Sequence, residues 1–423
     1  MAADRMRPRK RVTRVAATGM VGDMVDAAAL SDPARHSDAA SLSDTAPMPV
    51  VRSAWTSDPD PDAAAQAIFA ALDPQSLAGV ILFCSSRYPV EPLAQAILQR
   101  CDGVTVIGCT SSGEITADGF VEGSIVAIGF PASDFSLCAT RFDALDDLEA
   151  SQAQAAVRSL VASAAEGSRQ FGDDVHHAAI FLVDGLSHRE EMLTVTLQDA
   201  LGPIPLIGGS SGDGFAFRET FVLDSDGFHC DAALVAILST RRRLHVFRSQ
   251  PYLPGSIKMV ITGADPVARI VHEINAEPAA DEYARLAGVR RSDLGPQIFA
   301  SRPPMVRAGG EHYVRSIQSA NDDGSLTFYC AIDEGLVLTL GAATNIVGDM
   351  QALFTDLQHA VGGIDQILGF NCVLNQVEIE QQQLSRQVAQ LMIVNRVVGF
   401  NSYGEQFHAL HVNQTFSGLA IGQ

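Results

Sequence analysis

The stretch VIGCTSSGEI, starting at Val106, is written again one hundred residues later as LIGGSSGDGF, starting at Leu206. A chain that repeats a pattern must bury it the same way each time, so the flanking sequence should repeat as well. It does. The first unit opens with GVILFCSS (79–86), a continuous apolar run suited to a strand covered on both faces. VEPLAQAILQRCDG follows, with Leu93, Ile97, Leu98 and Cys101 at helical spacing and Gly103 as a stop. The Gly-Ser loop and the run GSIVAIGF complete it. The second unit opens with AAIFLVDG (178–185). Its helix is read with a capping box, Ser187 capping and Glu190 three residues on, and with a stripe of Leu193, Leu197 and Leu201 before Gly202-Pro203. A second Gly-Ser loop and DAALVAIL follow. The loop is doubled because a strand–helix–strand–loop–strand unit is doubled. The expected fold class is α/β (or α+β): an N-terminal pseudo-duplicated strand-helix-strand domain over 49–265 and a C-terminal α/β domain over 266–423.

Composition narrows the functional classes. With 423 residues, 47% hydrophobic and 18% charged, the chain has the make-up of a globular protein of two or three domains. A net charge of −20 repels phosphate backbones and argues against nucleic acid as a partner. The cysteines, 84, 101, 109, 138, 230, 330 and 372, are odd in number and scattered, with no CxxC or CxxCH. That usage fits a reduced compartment and a cytoplasmic location, with no zinc knuckle. No stretch approaches the ~18 uninterrupted apolar residues of a membrane span. Residues 1–48 have a basic start, but Asp23 and Asp26 break the apolar core a signal peptide needs. They read as a disordered tail.

Four chemistries compete for the paired loops. Gly108 and Gly113 have P-loop spacing, but Glu114 stands where lysine should neutralise phosphate. Gly208-x-Ser210-x-Gly212 spells a nucleophile elbow, with Asp333 and His411 downstream in an allowed order. That motif needs a helix after the serine, whereas FAFRETFVL alternates like a strand, and the first loop has Thr110 in place of Ser210. The glycines can also serve tight turns and close backbone approach alone. The remaining reading sets both loops along a ligand crevice at the carboxyl edge of a sheet, with Gly108, Ser111, Gly208, Gly209, Ser211 and Asp213 as candidate contacts.

The second half has its own signals. NAEPAADEYARLAG (275–288) reads as a helix with Pro278 in its first turn and Gly288 beyond its end. HYVRSI and LTFYCAI read as strands, and 377–398 as the longest helix, with Leu384, Val388, Leu391 and Met392 on its apolar face. The closing segment, GFNSYGEQFHALHVNQTFSGLAIG, is dense in polar side chains that are expensive to bury unpaired. Tyr403, Glu405, His411, Asn413 and Gln414 therefore either face a ligand cavity or edge a solvated sheet. Strand alternation would put His411, Asn413 and Thr415 on one face.

The twin loops, NAEPAADEYARL, LGFNCVLNQVEIE, GFNSYGEQF and LHVNQTFSGLAIG together resemble the FIST family, named for F-box and intracellular signal transduction. The resemblance spans roughly 50 to 423. It implies paired FIST N and C domains and a sensory, non-catalytic role toward a small ligand such as an amino acid. One bacterial branch senses nitric oxide through haem and acts with histidine kinases and cyclic-di-GMP enzymes, and this chain is similar to it in its YGEQ…HVNQTF ending. Haem iron commonly takes a proximal histidine. Of the eleven histidines, His411 is the favoured candidate because it lies in the best-matching block, and His229 the second because it precedes a buried strand. A haem-free metabolite sensor and a serine hydrolase using Ser210 remain alternatives.

Overall fold

The repeated unit occurs three times, not twice. The structure, a computed structural model, describes residues 49–423; the tail read at 1–48 lies outside the described residues. The first copy runs β1 (Arg52–Thr56), α1 (Pro61–Leu72), β2 (Leu77–Ser85), α2 (Val90–Leu98), β3 (Thr105–Ser111), the hairpin β4 (Glu114–Thr116) and β5 (Gly119–Val121), and β6 (Ile125–Pro131). The second runs β7 (Phe135–Asp143), α3 (Ala150–Gly167), β8 (His176–Val183), α4 (Glu190–Leu201), β9 (Leu206–Ser210), the hairpin β10 (Val222–Asp224) and β11 (Gly227–His229), and β12 (Ala232–Thr240). The third opens with β13 (Leu244–Ser249) and is then interrupted. The insertion holds β14 (Tyr252–Asp265), β15 (Ile270–Ile274), β16 (Glu277–Pro278), α5 (Ala279–Ala287), α6 (Pro296–Ser301), β17 (Pro304–Ala308), β18 (Glu311–Val314), β19 (Ile317–Ala320), β20 (Leu326–Phe328) and β21 (Val337–Ala343). The copy resumes with α7 (Ile346–Val361), β22 (Ile364–Cys372), α8 (Val373–Gln381), α9 (Ser385–Val394), β23 (Val397–Ser402), the hairpin β24 (Glu405–Phe407) and β25 (Leu410–Val412), and β26 (Phe416–Gly422).

Each copy builds four strands of its own sheet, in the orders β1-β6-β2-β3, β7-β12-β8-β9 and β13-β26-β22-β23. In each, only the pair flanking a helix is parallel, because a crossover helix returns the chain in the same direction. The short hairpin leaves home. That of the first copy joins the third sheet, that of the second joins the first, and that of the third joins the second. Three six-stranded sheets are thereby linked in a cycle, and strand pairing runs across the boundary read near residue 265. Thus β13 pairs with β26, and β4 with β23.

The third copy carries the loop as VVGFNSYGEQ, starting at Val397. Its constant frame is Gly-x-x-Ser: Gly108 and Ser111, Gly208 and Ser211, Gly399 and Ser402. A Cβ on those glycines would lie 2.1, 1.8 and 1.7 Å from the carbonyl oxygens of Leu82, Phe181 and Gly369 on the parallel neighbour. Only glycine permits that approach. The serine hydroxyls donate to the same neighbours, to Cys84 O at 3.1 Å, Val183 O at 3.2 Å and Asn371 O at 3.4 Å.

Side-chain alternation divides the core. Ile81 and Phe83 enter a central core shared by all three sheets, while Val80, Leu82 and Cys84 face α1 and α2. The Phe83 ring lies 4.5 Å from Phe400 and 6.3 Å from Phe370, so the first and third copies meet there. Separate outer cores join α3 and α4 to the second sheet, and α7 and α9 to the third. The insertion forms an eight-stranded sheet with its own core around Met259, Ile261, Tyr283 and Phe299.

Local readings are corrected at several points. Helix α4 is capped by Arg189, not Ser187, and Glu190 turns to Arg269 of the insertion at 2.7 Å instead of closing a capping box. The helix read over 377–398 is two, α8 and α9, parted at Gln383, whose φ is +59°. The alternation at 215–223 yields strand only from Val222, because β10 pairs with just two residues of β3. HYVRSI and LTFYCAI form only the shorter strands β18, β19 and β20. Strand β25 stops at Val412 and Gln414 has φ +50°, so His411, Asn413 and Thr415 do not share a strand face. The helix read at 275–288 is confirmed as α5, with Gly288 in the left-handed region at φ +74°.

Candidate functional site

The three Gly-Ser loops leave the carboxyl ends of their parallel strands and hydrogen-bond to one another. Ser112 N donates to Asn401 O at 3.0 Å, Asn401 N to Gly113 O at 2.8 Å, Gly212 N to Thr110 O at 3.1 Å and Ser210 N to Gly404 O at 2.8 Å. A Cβ on Gly212 would sit 2.2 Å from Ser112 Oγ. Two of the loops then enter their hairpins after two residues, 112–113 and 403–404. The second copy spends eleven, 211–221.

Asp213 organises that extension. One carboxylate oxygen accepts the Tyr403 hydroxyl and Phe217 N at 2.8 Å; the other accepts Arg218 N at 2.8 Å and Glu219 N at 3.2 Å. These donors hold its pKa below the usual carboxylate range, against the opposing effect of partial burial. Phe217 stacks on Tyr403 at 5.2 Å and meets Tyr329 of the insertion at 5.8 Å. The extended loop of the second copy thus touches both the third copy and the inserted sheet.

Three adjoining clefts surround this loop. One of about 390 Å³ lies between α2 and Arg218, one of about 220 Å³ between Arg87, Ser112 and Asp213, and one of about 190 Å³ between Phe215, Phe120 and α8. A larger cleft, about 570 Å³, lies at the other end of β3 beside Arg141. The loop crevice is the better candidate, since open sheets bind ligands beyond the carboxyl ends of their strands.

Of the residues read from the sequence, Ser111 and Asp213 line this crevice. Gly108, Gly208 and Gly209 serve close contact, with Gly209 against the rings of Phe370 and Phe400. Ser211 accepts Gly185 N at 3.1 Å. Glu405 is a buried tie. Its carboxyl takes Ser402 Oγ at 2.5 Å, Thr415 N at 3.2 Å and Thr415 Oγ at 2.6 Å. Glu114 repeats the arrangement with Ser111, Ser124 N at 3.0 Å and Ser124 Oγ at 2.6 Å. That tie accounts for a carboxylate where a phosphate loop would have lysine. Gln414 donates to Phe299 O at 3.2 Å and Ala300 O at 3.3 Å, fastening the insertion. Sequence reasoning missed Arg87, Arg218 and Gln376, which carry no motif, and did not single out Ser112 and Phe215 within the two loops as lining residues.

His411 and Asn413 lie apart from the crevice, buried beneath α4. His411 Nδ1 is 3.2 Å from Gln406 Nε2, while its Nε2 and both polar atoms of Asn413 have no hydrogen-bond partner. A Cβ on Gly404 would come within 2.4 Å of the imidazole and 2.9 Å of Asn413. Burial lowers the His411 pKa, keeping the ring neutral at pH 7. His229 Nε2 lies 3.1 Å from Asp224 and 2.9 Å from Arg141. With one ring sealed against Gly404 and the other engaged by an ion pair, these residues do not fit a haem. Among the described residues no cluster of three or more His, Cys, Asp or Glu is placed to hold a metal ion.

Ser210 is fully buried, and its hydroxyl accepts Gln406 Nε2 at 2.9 Å where an elbow serine would face a histidine. Among the described residues the Asp333 carboxylate accepts only the neighbouring Glu334 amide. The elbow spelling shares only Gly208 with the Gly-x-x-Ser frame, whose serine is Ser211.

Exchanged-hairpin sheets, interlocked loops and one extended loop beside a crevice set the architecture apart. The chain matches the FIST N domain over residues 78–277 and the FIST C domain over 279–408. It belongs to the FIST family, whose domains are sensory modules of signal transduction. No curated protein matches it. Among the described residues no helix is long and apolar enough to cross a membrane.

Proposed function

We propose that this chain senses a small polar molecule in the crevice beneath the 211–221 loop and signals to a separate protein. The carrying observation is the break in three-fold repetition. Two copies turn in two residues, while the second copy spends eleven, which lie over the clefts and are bolted through Asp213–Tyr403 to the third copy and through Phe217–Tyr329 to the insertion. Both departures from the repeat touch, so a ligand that moves the loop also acts on the inserted sheet. Binding must favour one arrangement of the loop over another for a signal to result. The resemblance supports a histidine kinase or cyclic-di-GMP enzyme as reader.

The ligand reading favoured by the geometry is haem-free. Protein expressed with haem supply should show no Soret band; a Soret band lost in His411→Ala would instead restore the haem and nitric oxide reading. For the crevice itself, hydrogen exchange should be followed on the full chain with panels of amino acids, amines and carboxylates. At least one class should slow exchange in 211–221 and 85–88. Protection confined to other segments would move the site elsewhere.

A further inference from the structure

Resting on that crevice, the geometry points to an organic ammonium ion as the ligand class of its innermost cleft, between the β4–β5 hairpin, the loop tip and α8. Phe215 is 46% exposed at the tip of the extended loop and shares the cleft wall with Phe120. The polar wall offers acceptors. Gln376 lines the cleft and is only 9% exposed; its Nε2 is spent on Glu380 Oε1 at 2.8 Å, and its Oε1 is buried with no donor among the described residues. Glu380 and Glu122 supply carboxylates, and among the described residues no Lys or Arg lines this cleft. The Arg87 guanidinium meets Glu122 from the adjoining cleft at 3.4 Å, an exposed and therefore weak pair.

Each component selects for the same chemistry. A buried amide oxygen without a donor is costly and is satisfied by an N–H. Carboxylates stabilise a cation, and aromatic faces attract one that has shed part of its water. A net charge of −20 raises the local concentration of cations around the whole molecule. An anion would meet two carboxylates and a carbonyl oxygen, with no cationic side chain of this cleft to offset them.

Calorimetric titration and hydrogen exchange on the full chain test this with n-butylammonium and tetramethylammonium chloride, against sodium butyrate, n-butanol and sodium chloride. The ammonium salts should bind and slow exchange in 211–221. Glu380→Gln and Phe215→Ala, both at exposed positions that leave the core intact, should each weaken binding by about ten-fold. Equal binding of n-butanol, or unchanged affinity in both variants, would overturn the ammonium assignment. Protection of the loop by butyrate alone would overturn it too, while leaving the crevice as the sensory site. If no probe and no member of the wider panels protects the loop, the crevice reading itself falls.

Discussion

The hairpins of the first and third copies occupy equivalent places, and two of their three cross-strand pairs differ, the central one in polarity. Both are tied by the same buried glutamate, Glu114 to Ser111 and Ser124, Glu405 to Ser402 and Thr415. Both cross an equivalent glycine, Ile115 pairing with Gly399 and Gln406 with Gly208. Across the hairpin, however, Ile115 faces Phe120, whereas Gln406 faces His411. The second copy agrees with the first, pairing Leu223 with Phe228. Two copies out of three show what the architecture requires, namely an apolar pair. The third carries a buried polar pair with an unpartnered Nε2, which costs stability and marks a place where something other than packing was retained. The repeat is thus an internal control. What recurs is scaffold, and what departs from it is where function is sought.

The sharpest way to break this comparison is at the scaffold glycines. Gly108→Ala, Gly208→Ala and Gly399→Ala each place a Cβ about as close to a backbone carbonyl as a covalent bond, so nothing flexible can yield. Each should cost more than about 3 kcal/mol or abolish soluble expression. Chemical denaturation of the three variants should give similar losses. Tolerance of any one would show that the copies do not share this contact.

Next come the glutamate ties. Glu405→Ala would strand the buried Thr415 hydroxyl and amide and leave Ser402 its contact to Asn371 O, at roughly 1–3 kcal/mol for each group left unsatisfied. Burial lifts the Glu405 pKa from 4.5 to about 8, and raises that of Glu114 as well. A folded-state pKa above the unfolded one means that the fold holds the extra proton. Its stabilising effect is complete below about pH 4.5 and is lost as pH rises through about 8. Glu405→Gln mimics the neutral carboxyl. It should remain folded and flatten the fall in stability between about pH 5 and about pH 8, measured by denaturant midpoints. An unchanged slope would mean that the tie is ionised.

The same contrast explains what the sequence could and could not convey. The first two copies were legible because Ser, Thr and Gly fill their loops and their helices show clean stripes. The third was not, because Phe400, Asn401 and Tyr403 stand where small residues stood, although the Gly399–Ser402 spacing survives. About 90 residues of insertion also separate β13 from the rest of its copy. Hairpin exchange was invisible for a different reason. Three-residue strands carry little period, and β10 finds its partner β3 more than a hundred residues away. Asp213 stands in a recognisable loop, but its partner Tyr403 is 190 positions distant. His411 stood out in sequence by its polar neighbours. Its burial against Gly404 is encoded by no local pattern.

A smaller effect is expected from converting the third hairpin to the pattern of the others. The double variant Gln406→Leu with His411→Phe replaces an under-satisfied polar pair by apolar side chains of similar size. Stability should be unchanged or rise by about 1–2 kcal/mol, since removing both partners avoids the desolvation cost of either. It also removes the Ser210 hydroxyl's donor, which limits the gain. A loss exceeding about 2 kcal/mol would make the polar pair structural and end its use as a functional marker.

The smallest change in global stability is expected from Tyr403→Phe, which deletes one hydroxyl from the rim of the crevice. That hydroxyl donates to Asp213 and accepts Asp213 N at 3.2 Å, whereas the Tyr403 ring also packs on Phe217 and Tyr329, which the variant preserves. The global cost should be near 1 kcal/mol. The local cost should be larger in its consequence, because Asp213 would hold the extended loop by backbone amides alone. Exchange in 211–221 should accelerate while β2, β8 and β22 keep their protection, as expected when a segment opens independently of the core. The equivalent loops at 112–113 and 403–404 have no extension to release and should not change. If Tyr403→Phe loosens all three loops equally, the Asp213–Tyr403 bond belongs to the common scaffold, and the second copy's loop loses its claim to be the moving part.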